Sequence, residues 1–239
     1  MPSMIRVLLI LCIAGVIPLR AQDCSALSWE ARLTYDANHI ASTFVRGSSG
    51  VVSDALLPLT IGVPVGLYAY GISGIAGSQE NKRYAAETGL QAMVTMGATY
   101  AIVLAGKHIF DRDRPWQAYP DCITNYRSDA DGSFPSGHSA GSAALATTLA
   151  LRYKEWYVIA PGALYALWTG FSRLNLGMHY LGDVLAGYGV GIGVAVLVHA
   201  LNTQLFDLAD PILPKSGLYT IDSGAMYGHQ PIFHFSLSF

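Results

Sequence analysis

Apolar stretches alternate with short polar connectors along most of this chain. Ala55–Gly77 carries no charged residue, and about 20 apolar residues in helical form suffice to cross a hydrocarbon core. Pro58 and Pro64 fall inside it and predict bends. The connector Ser78–Arg83 is polar, and Ala85–Gly106 is apolar again apart from Glu87. After a polar stretch over residues 107–135, helical apolar segments resume at Gly137–Leu151, Tyr157–Phe171 and Leu181–Leu201. The last holds Gly187, Gly189, Gly191 and Gly193, two overlapping small-xxx-small pairs that let a neighbouring helix approach closely. Residues 22–52 are mixed in character and predict one amphipathic helix at the membrane interface, interrupted at Gly47-Ser48-Ser49-Gly50. The pattern as a whole predicts an all-α helical bundle with five or six membrane-spanning helices.

Composition supports lipid as solvent for part of the surface. Charged residues make up 13% of the 239 positions, against roughly 25% in an ordinary soluble domain. Hydrophobic residues reach 52% and the mean hydropathy is +0.36. A net charge of −2 implies no basic face and argues against nucleic acid as a partner. The length suits one domain.

Residues 1–21 combine Arg6, an apolar run over Val7–Ile17 and Leu19-Arg20-Ala21, and read as a signal peptide or an N-terminal anchor. Either way the residues that follow are exported. Lys82 and Arg83 close one short connector, and Arg152 and Lys154 close another. Placing both in the cytoplasm puts residues 22–52, 107–135 and 172–179 together on the opposite side. Cys24 and Cys122 then share an oxidising compartment, where a disulfide is permitted and two buried thiols are equally compatible. No CxxC or Cys/His zinc spacing is present. The tail, residues 202–239, ends in an alternation over Phe233–Phe239 that fits one strand.

Three clusters carry chemistry. The first runs from Lys107 to Arg114-Pro115 at the exit of an apolar helix. The second is Gly132-Ser133-Phe134-Pro135-Ser136-Gly137-His138, where a loop enters a helix. The third is Ser172-Arg173, then His179 and Asp183, straddling a turn between two helices. Unpaired cations beside apolar segments are expensive, and a phosphate dianion is a natural counterion for Lys107, Arg114 and Arg173. Ser136 and Gly137 stand at a helix start, where free N–H groups and the helix dipole favour an anion. His179 and Asp183 are four apart and share a helical face. A carboxylate on one ring nitrogen fixes the tautomer and leaves the other free to attack phosphorus. His138 follows the anion-binding turn, placed to protonate a leaving group and then activate water. Arg112 and Asp113 read as solvated loop charges.

Taken together, Lys-x6-Arg-Pro, Pro-Ser-Gly-His and Ser-Arg-x5-His-x3-Asp resemble the motifs of the type-2 phosphatidic acid phosphatase superfamily, with every motif position filled over about residues 55–201. The resemblance implies a domain over residues 22–201, built on a helix bundle. It implies His179 as nucleophile, Asp183 as its orienting partner and His138 as proton donor. Lys107, Arg114, Ser136, Gly137 and Arg173 would hold the phosphate, with no metal and no cofactor. The implied substrate is a phosphorylated lipid: phosphatidate, phosphatidylglycerophosphate, an isoprenoid pyrophosphate or lipid A. The expected location is the inner membrane of a bacterium with the site on the periplasmic side. Two alternatives stay open at this stage: a soluble periplasmic acid phosphatase, and a protein that binds or carries anionic lipid without cleaving it.

Overall fold

The computed structural model describes residues 23–127 and 131–215, which are helical throughout their regular structure, with no strand among them. The signal peptide or anchor expected at residues 1–21 and the strand expected near the C-terminus lie outside the described residues.

A short helix α1 (Trp29–Asn38) is followed by two long helices, α2 (Thr43–Ile72) and α3 (Gln79–Phe110). A single turn, α4 (Pro115–Ala118), precedes α5 (Gly137–Tyr153), α6 (Trp156–Asn175), α7 (Leu181–Ala200) and the short α8 (Asn202–Ala209). Serine caps set several of the starts: the side chains of Ser28, Ser42, Ser78 and Ser136 accept from the amides of Ala31, Val45, Asn81 and Ser139.

The segment expected to be one interfacial helix is two. The chain breaks after Asn38 and restarts at the Ser42 cap, and α2 continues unbroken through Gly47-Ser48-Ser49-Gly50. Only two of those small residues face a neighbour closely: Ser49 is buried, and a Cβ on Gly50 would lie 3.1 Å from Nη2 of Arg127, whereas Gly47 meets open space. Pro58 and Pro64 sit within α2 without ending it. Along its outer side Leu57, Ile61 and Val65 form an exposed stripe at helical spacing.

Among the described residues α2, α3, α5, α6 and α7 form the bundle, and three helical segments are long and apolar enough to cross a membrane: Thr43–Ile72, Gln79–Ala118 and Leu181–Ala200. α5 is short and rich in small and hydroxyl residues, and α6 ends in the polar Ser172-Arg173-Leu174-Asn175. α5 packs in the interior, its largest interface being with α7. The glycine run of α7 explains that contact in part: a Cβ on Gly191 would lie 2.2 Å from the carbonyl oxygen of Ala140, while Gly189 and Gly193 face open space. One of the two predicted glycine faces is therefore the seam.

The antiparallel arrangement sorts charge to the two ends. At the end where α3 begins and α5 finishes, Glu87 pairs with Arg83 at 3.0 Å and with Arg152 at 3.2 Å. The residues after α8 close over this end, with Arg83 reaching Asp210 at 3.0 Å and Tyr68 donating to the Ile212 carbonyl at 2.9 Å. The opposite end gathers the last turn of α3, the first turns of α5 and α7, and the last turn of α6. All three motif clusters lie there.

Candidate active site

Each motif residue is delivered by a helix end. Helix α3 runs further than its apolar content suggested, to Phe110, so Lys107 stands on its last turn and not in a loop. Asp111 caps it in the left-handed conformation at φ 37°. Arg114 is the N-cap of α4 and is buried, at 1% exposure. Gly177, at φ 74°, turns the chain from α6 toward α7 where a side chain would strike the Thr124 carbonyl. His179 and Asp183 follow immediately, at 1% and 0% exposure.

Arg114 is the hub. Its Nη1 lies 3.0 Å from the Met178 carbonyl and 3.3 Å from Nε2 of His179. Its Nη2 lies 2.5 Å from Oδ1 of Asp131, and its Nε donates to the Asp131 carbonyl at 2.9 Å. A guanidinium has no acceptor, so in this contact His179 must present a lone pair at Nε2 and carry its proton on Nδ1. That Nδ1 faces Ser133 Oγ at 3.4 Å and Asp183 Oδ2 at 3.6 Å. Ser133 in turn donates to Asp183 Oδ2 at 2.5 Å. The carboxylate therefore steers the imidazole directly and through a hydroxyl. Ser133 stood in the second cluster with no role assigned; its position just before the Pro135-Ser136 turn was the only signal.

The electrostatics agree with a neutral imidazole. Burial pushes the His179 pKa down to about 3, reinforced by the charges of Arg173 and Arg114 and opposed by the Asp183 carboxylate. Arg173, also buried, donates to Ser53 Oγ at 2.6 Å. His138, half-buried on the first turn of α5, lies within electrostatic reach of Arg173, His179, Arg114 and Lys107. The two imidazoles and three cations thus converge from distant stretches of chain.

Two expectations need correction. The Ser136 amide is not free for an anion: it donates to the Asp183 carbonyl at 3.0 Å, tying the second cluster to the third. Its hydroxyl accepts from the Ser139 amide, which leaves its own O–H and the amides of Gly137 and His138, which a helix cannot satisfy itself, as the donors at this end. Arg112 is not a solvated loop charge. Its Nη1 lies 2.7 Å from Asp183 Oδ1 and its Nη2 2.6 Å from Glu30 Oε2.

Asp131 was also missed. Its carboxylate bridges Arg114 and Lys107, the latter at 3.1 Å, and Lys107 also donates to the Gly132 carbonyl. Burial alone would raise its pKa, but the hydrogen bond from Arg114 and the charge of Lys107 hold it below the ordinary carboxylate value. A two-oxygen anion is thus held between these two cations. The Cys24–Cys122 pair is a disulfide, with Cα atoms 5.6 Å apart, which pins the segment before α1 to the loop beyond α4.

The model of the PAP2 superfamily matches residues 88–207, which take in all three clusters. Undecaprenyl-diphosphatase BcrC of Bacillus subtilis is 32% identical over 62% of this chain and 69% of its own length. A lipid A 1-phosphatase of Porphyromonas gingivalis is 37% identical over 48% of this chain, a match that takes in 23% of that longer protein. Among solved structures, a transmembrane PAP2-type phosphatidylglycerolphosphate phosphatase from Bacillus subtilis aligns with a TM-score of 0.58 at 21% identity, covering 85% of this chain and 96% of that one. The last comparison carries the fold alone.

Proposed function

The chain belongs to the PAP2 superfamily, and from that premise we propose that it is a membrane phosphatase removing phosphate from a lipid phosphate or pyrophosphate monoester through a phosphohistidine. The observation that carries the reading is the Arg114–His179 contact, which places the lone pair of the ring at Nε2, on the side where the cations gather.

In the first step Nε2 of His179 attacks phosphorus, and the bond from phosphorus to the leaving oxygen breaks. His138 gives its proton to that oxygen. Lys107, Arg114 and Arg173 spread the charge of the transferring group over its other oxygens, with the first amides of α5 adding dipole stabilisation. Asp183 and Ser133 stabilise the positive charge that develops on the His179 ring. In the second step His138 takes a proton from water as it attacks the phosphohistidine, releasing inorganic phosphate and restoring both imidazoles. The cations supply the electrostatic work, so no step calls for a metal.

The exposed stripe on α2 supports a lipid environment over a soluble acid phosphatase. Collection of the Lys82, Arg83, Arg152 and Lys154 charges at the far end supports a site facing away from the cytoplasm, and the disulfide beside the site supports the same side. The buried His179–Ser133–Asp183 arrangement favours catalysis over mere carriage of an anionic lipid, which needs cations but no oriented nucleophile.

The test is phosphate release by purified full chain in detergent, with EDTA present, from phosphatidate, phosphatidylglycerophosphate, an isoprenoid pyrophosphate, lipid A and a soluble aryl phosphate. The reading expects turnover, preference for a lipid, and its abolition in His179→Ala. No release from any of them, or full activity in His179→Ala, would overturn it.

A further inference from the structure

Helix α1 lies outside the residues that the superfamily model matches, yet it is bonded into the floor of the site at several points. Thr34 Oγ1 donates to the His179 carbonyl at 3.2 Å. Asn38 donates to the carbonyls of Asn175 at 2.9 Å and Thr124 at 3.0 Å, and accepts from the Thr124 amide. Glu30, one turn before Thr34, accepts from Arg112 and packs so near α7 that a Cβ on Gly182 would lie 2.4 Å from its Oε1.

Arg112 stands between two carboxylates. Its Nη1 holds Asp183 Oδ1, its Nη2 holds Glu30 Oε2, and its guanidinium carbon lies 4.0 Å over the Tyr180 ring. The other Asp183 oxygen accepts from Ser133 and from the Tyr180 amide and faces His179. Both oxygens of the carboxylate are thereby fixed, and its plane cannot turn away from the imidazole. The Ser133 amide donates to the Arg112 carbonyl at 2.7 Å, so the same residue positions both members of the steering pair.

We propose that Arg112 and Glu30 are positioning residues that set the orientation and effective charge of Asp183 toward His179, and that α1 supplies the second of them. The inference rests on the phosphatase reading above. Its physical content is a division of one positive charge. A cation beside Asp183 alone would draw the carboxylate away from His179. Glu30 takes the other half of the guanidinium and returns that influence to the imidazole. The remaining charged and titratable groups around His179 are Arg114, Arg173 and His138, with Asp131 and Lys107 beyond Arg114.

The signs follow. Asp183 favours protonated His179, and Arg112 opposes it. Removing the Arg112 charge therefore favours the protonated, non-nucleophilic ring and moves the acid limb of kcat/KM to higher pH. Removing the Glu30 charge leaves Arg112 wholly with Asp183 and moves that limb to lower pH.

The experiment uses full chain in detergent and the best lipid phosphate from the panel, with Arg112→Gln, Arg112→Lys, Glu30→Gln and the Glu30→Gln/Arg112→Gln pair. We expect Arg112→Gln to lower kcat roughly ten- to hundredfold with KM changed less than about twofold. Glu30→Gln should have a smaller effect, the double variant should match Arg112→Gln, and lysine should restore part of the rate. Acid limbs moving in opposite directions, with thermal midpoints near wild type, support the inference. A loss confined to the thermal midpoint with an unmoved pH profile, or a KM rise at constant kcat, would overturn it. An active wild type with indifferent Arg112 and Glu30 variants defeats this inference alone; an inactive wild type defeats the phosphatase reading as well.

Discussion

A Cβ added to Gly187 would lie 2.5 Å from the carbonyl oxygen of Ser136 and 3.0 Å from the Ser139 side chain. The first turn of α5, which carries the second motif, is thus pressed against α7 one turn beyond Asp183. The same pair of helices shares the hydrogen bond from the Ser136 amide to the Asp183 carbonyl. Gly187→Ala must push the two apart. We expect a loss of about 1–3 kcal/mol of stability and a lower kcat, because the donors of α5 and the His179–Asp183 pair move relative to each other. Gly189→Ala, which meets nothing within 4 Å, should retain both. Thermal unfolding and turnover of the two variants side by side check this.

Asp131 is paired with both Lys107 and Arg114, so the phosphatase reading expects it to compete with substrate for them. Asp131→Asn keeps the shape of the side chain and removes its charge. The variant should bind inorganic phosphate and vanadate several-fold more tightly, a gain of about 1 kcal/mol, measured as competitive inhibition of aryl phosphate hydrolysis. Unchanged or weaker inhibition would show that Asp131 does not occupy the anion position.

The Cys24–Cys122 bridge closes a loop across 98 residues of sequence. On the chain-entropy model such a closure contributes about 4–5 kcal/mol. The bridge also anchors the segment leading into α1, whose Glu30 and Thr34 reach the site. Cys24→Ser, or reduction of the wild type, should lower the thermal midpoint and the turnover together, read by unfolding and phosphate release with and without reductant.

The pattern of apolar stretches made the bundle legible, since hydrophobic length is set by the solvent and needs no knowledge of partners. Lys107, Arg114, His138, Arg173, His179 and Asp183 stood out in the sequence through the conjunction of three clusters on one expected side of the membrane, and the structure brings them to one end of the bundle. Arg112 and Glu30 did not stand out. A charge in a polar loop looks solvated until a residue 82 positions away is seen against it. Ser133 and Asp131 were hidden for a related reason: a serine or aspartate beside a turn has a local capping role that accounts for it equally well. The break after Asn38 was not legible, because Gly47-Ser48-Ser49-Gly50 reads as the interruption, whereas helix packing at Ser49 and Gly50 overrides that weak local preference.

His179 should stay neutral well into the acid range, since burial and the neighbouring arginines hold its pKa near 3. Turnover should therefore persist at mildly acidic pH, where an unperturbed histidine near 6.5 would already be protonated. A rate profile whose acid limb falls at the ordinary histidine value would contradict the burial-driven shift.

The most direct test of the central claim is covalent trapping. Full chain is mixed with substrate carrying a radiolabelled phosphate, quenched within the first turnover, and digested. The account expects acid-labile, base-stable label on the peptide containing His179, and none in His179→Ala. Label on another residue, or turnover in wild type with no trapped phosphoprotein under these conditions, would contradict it.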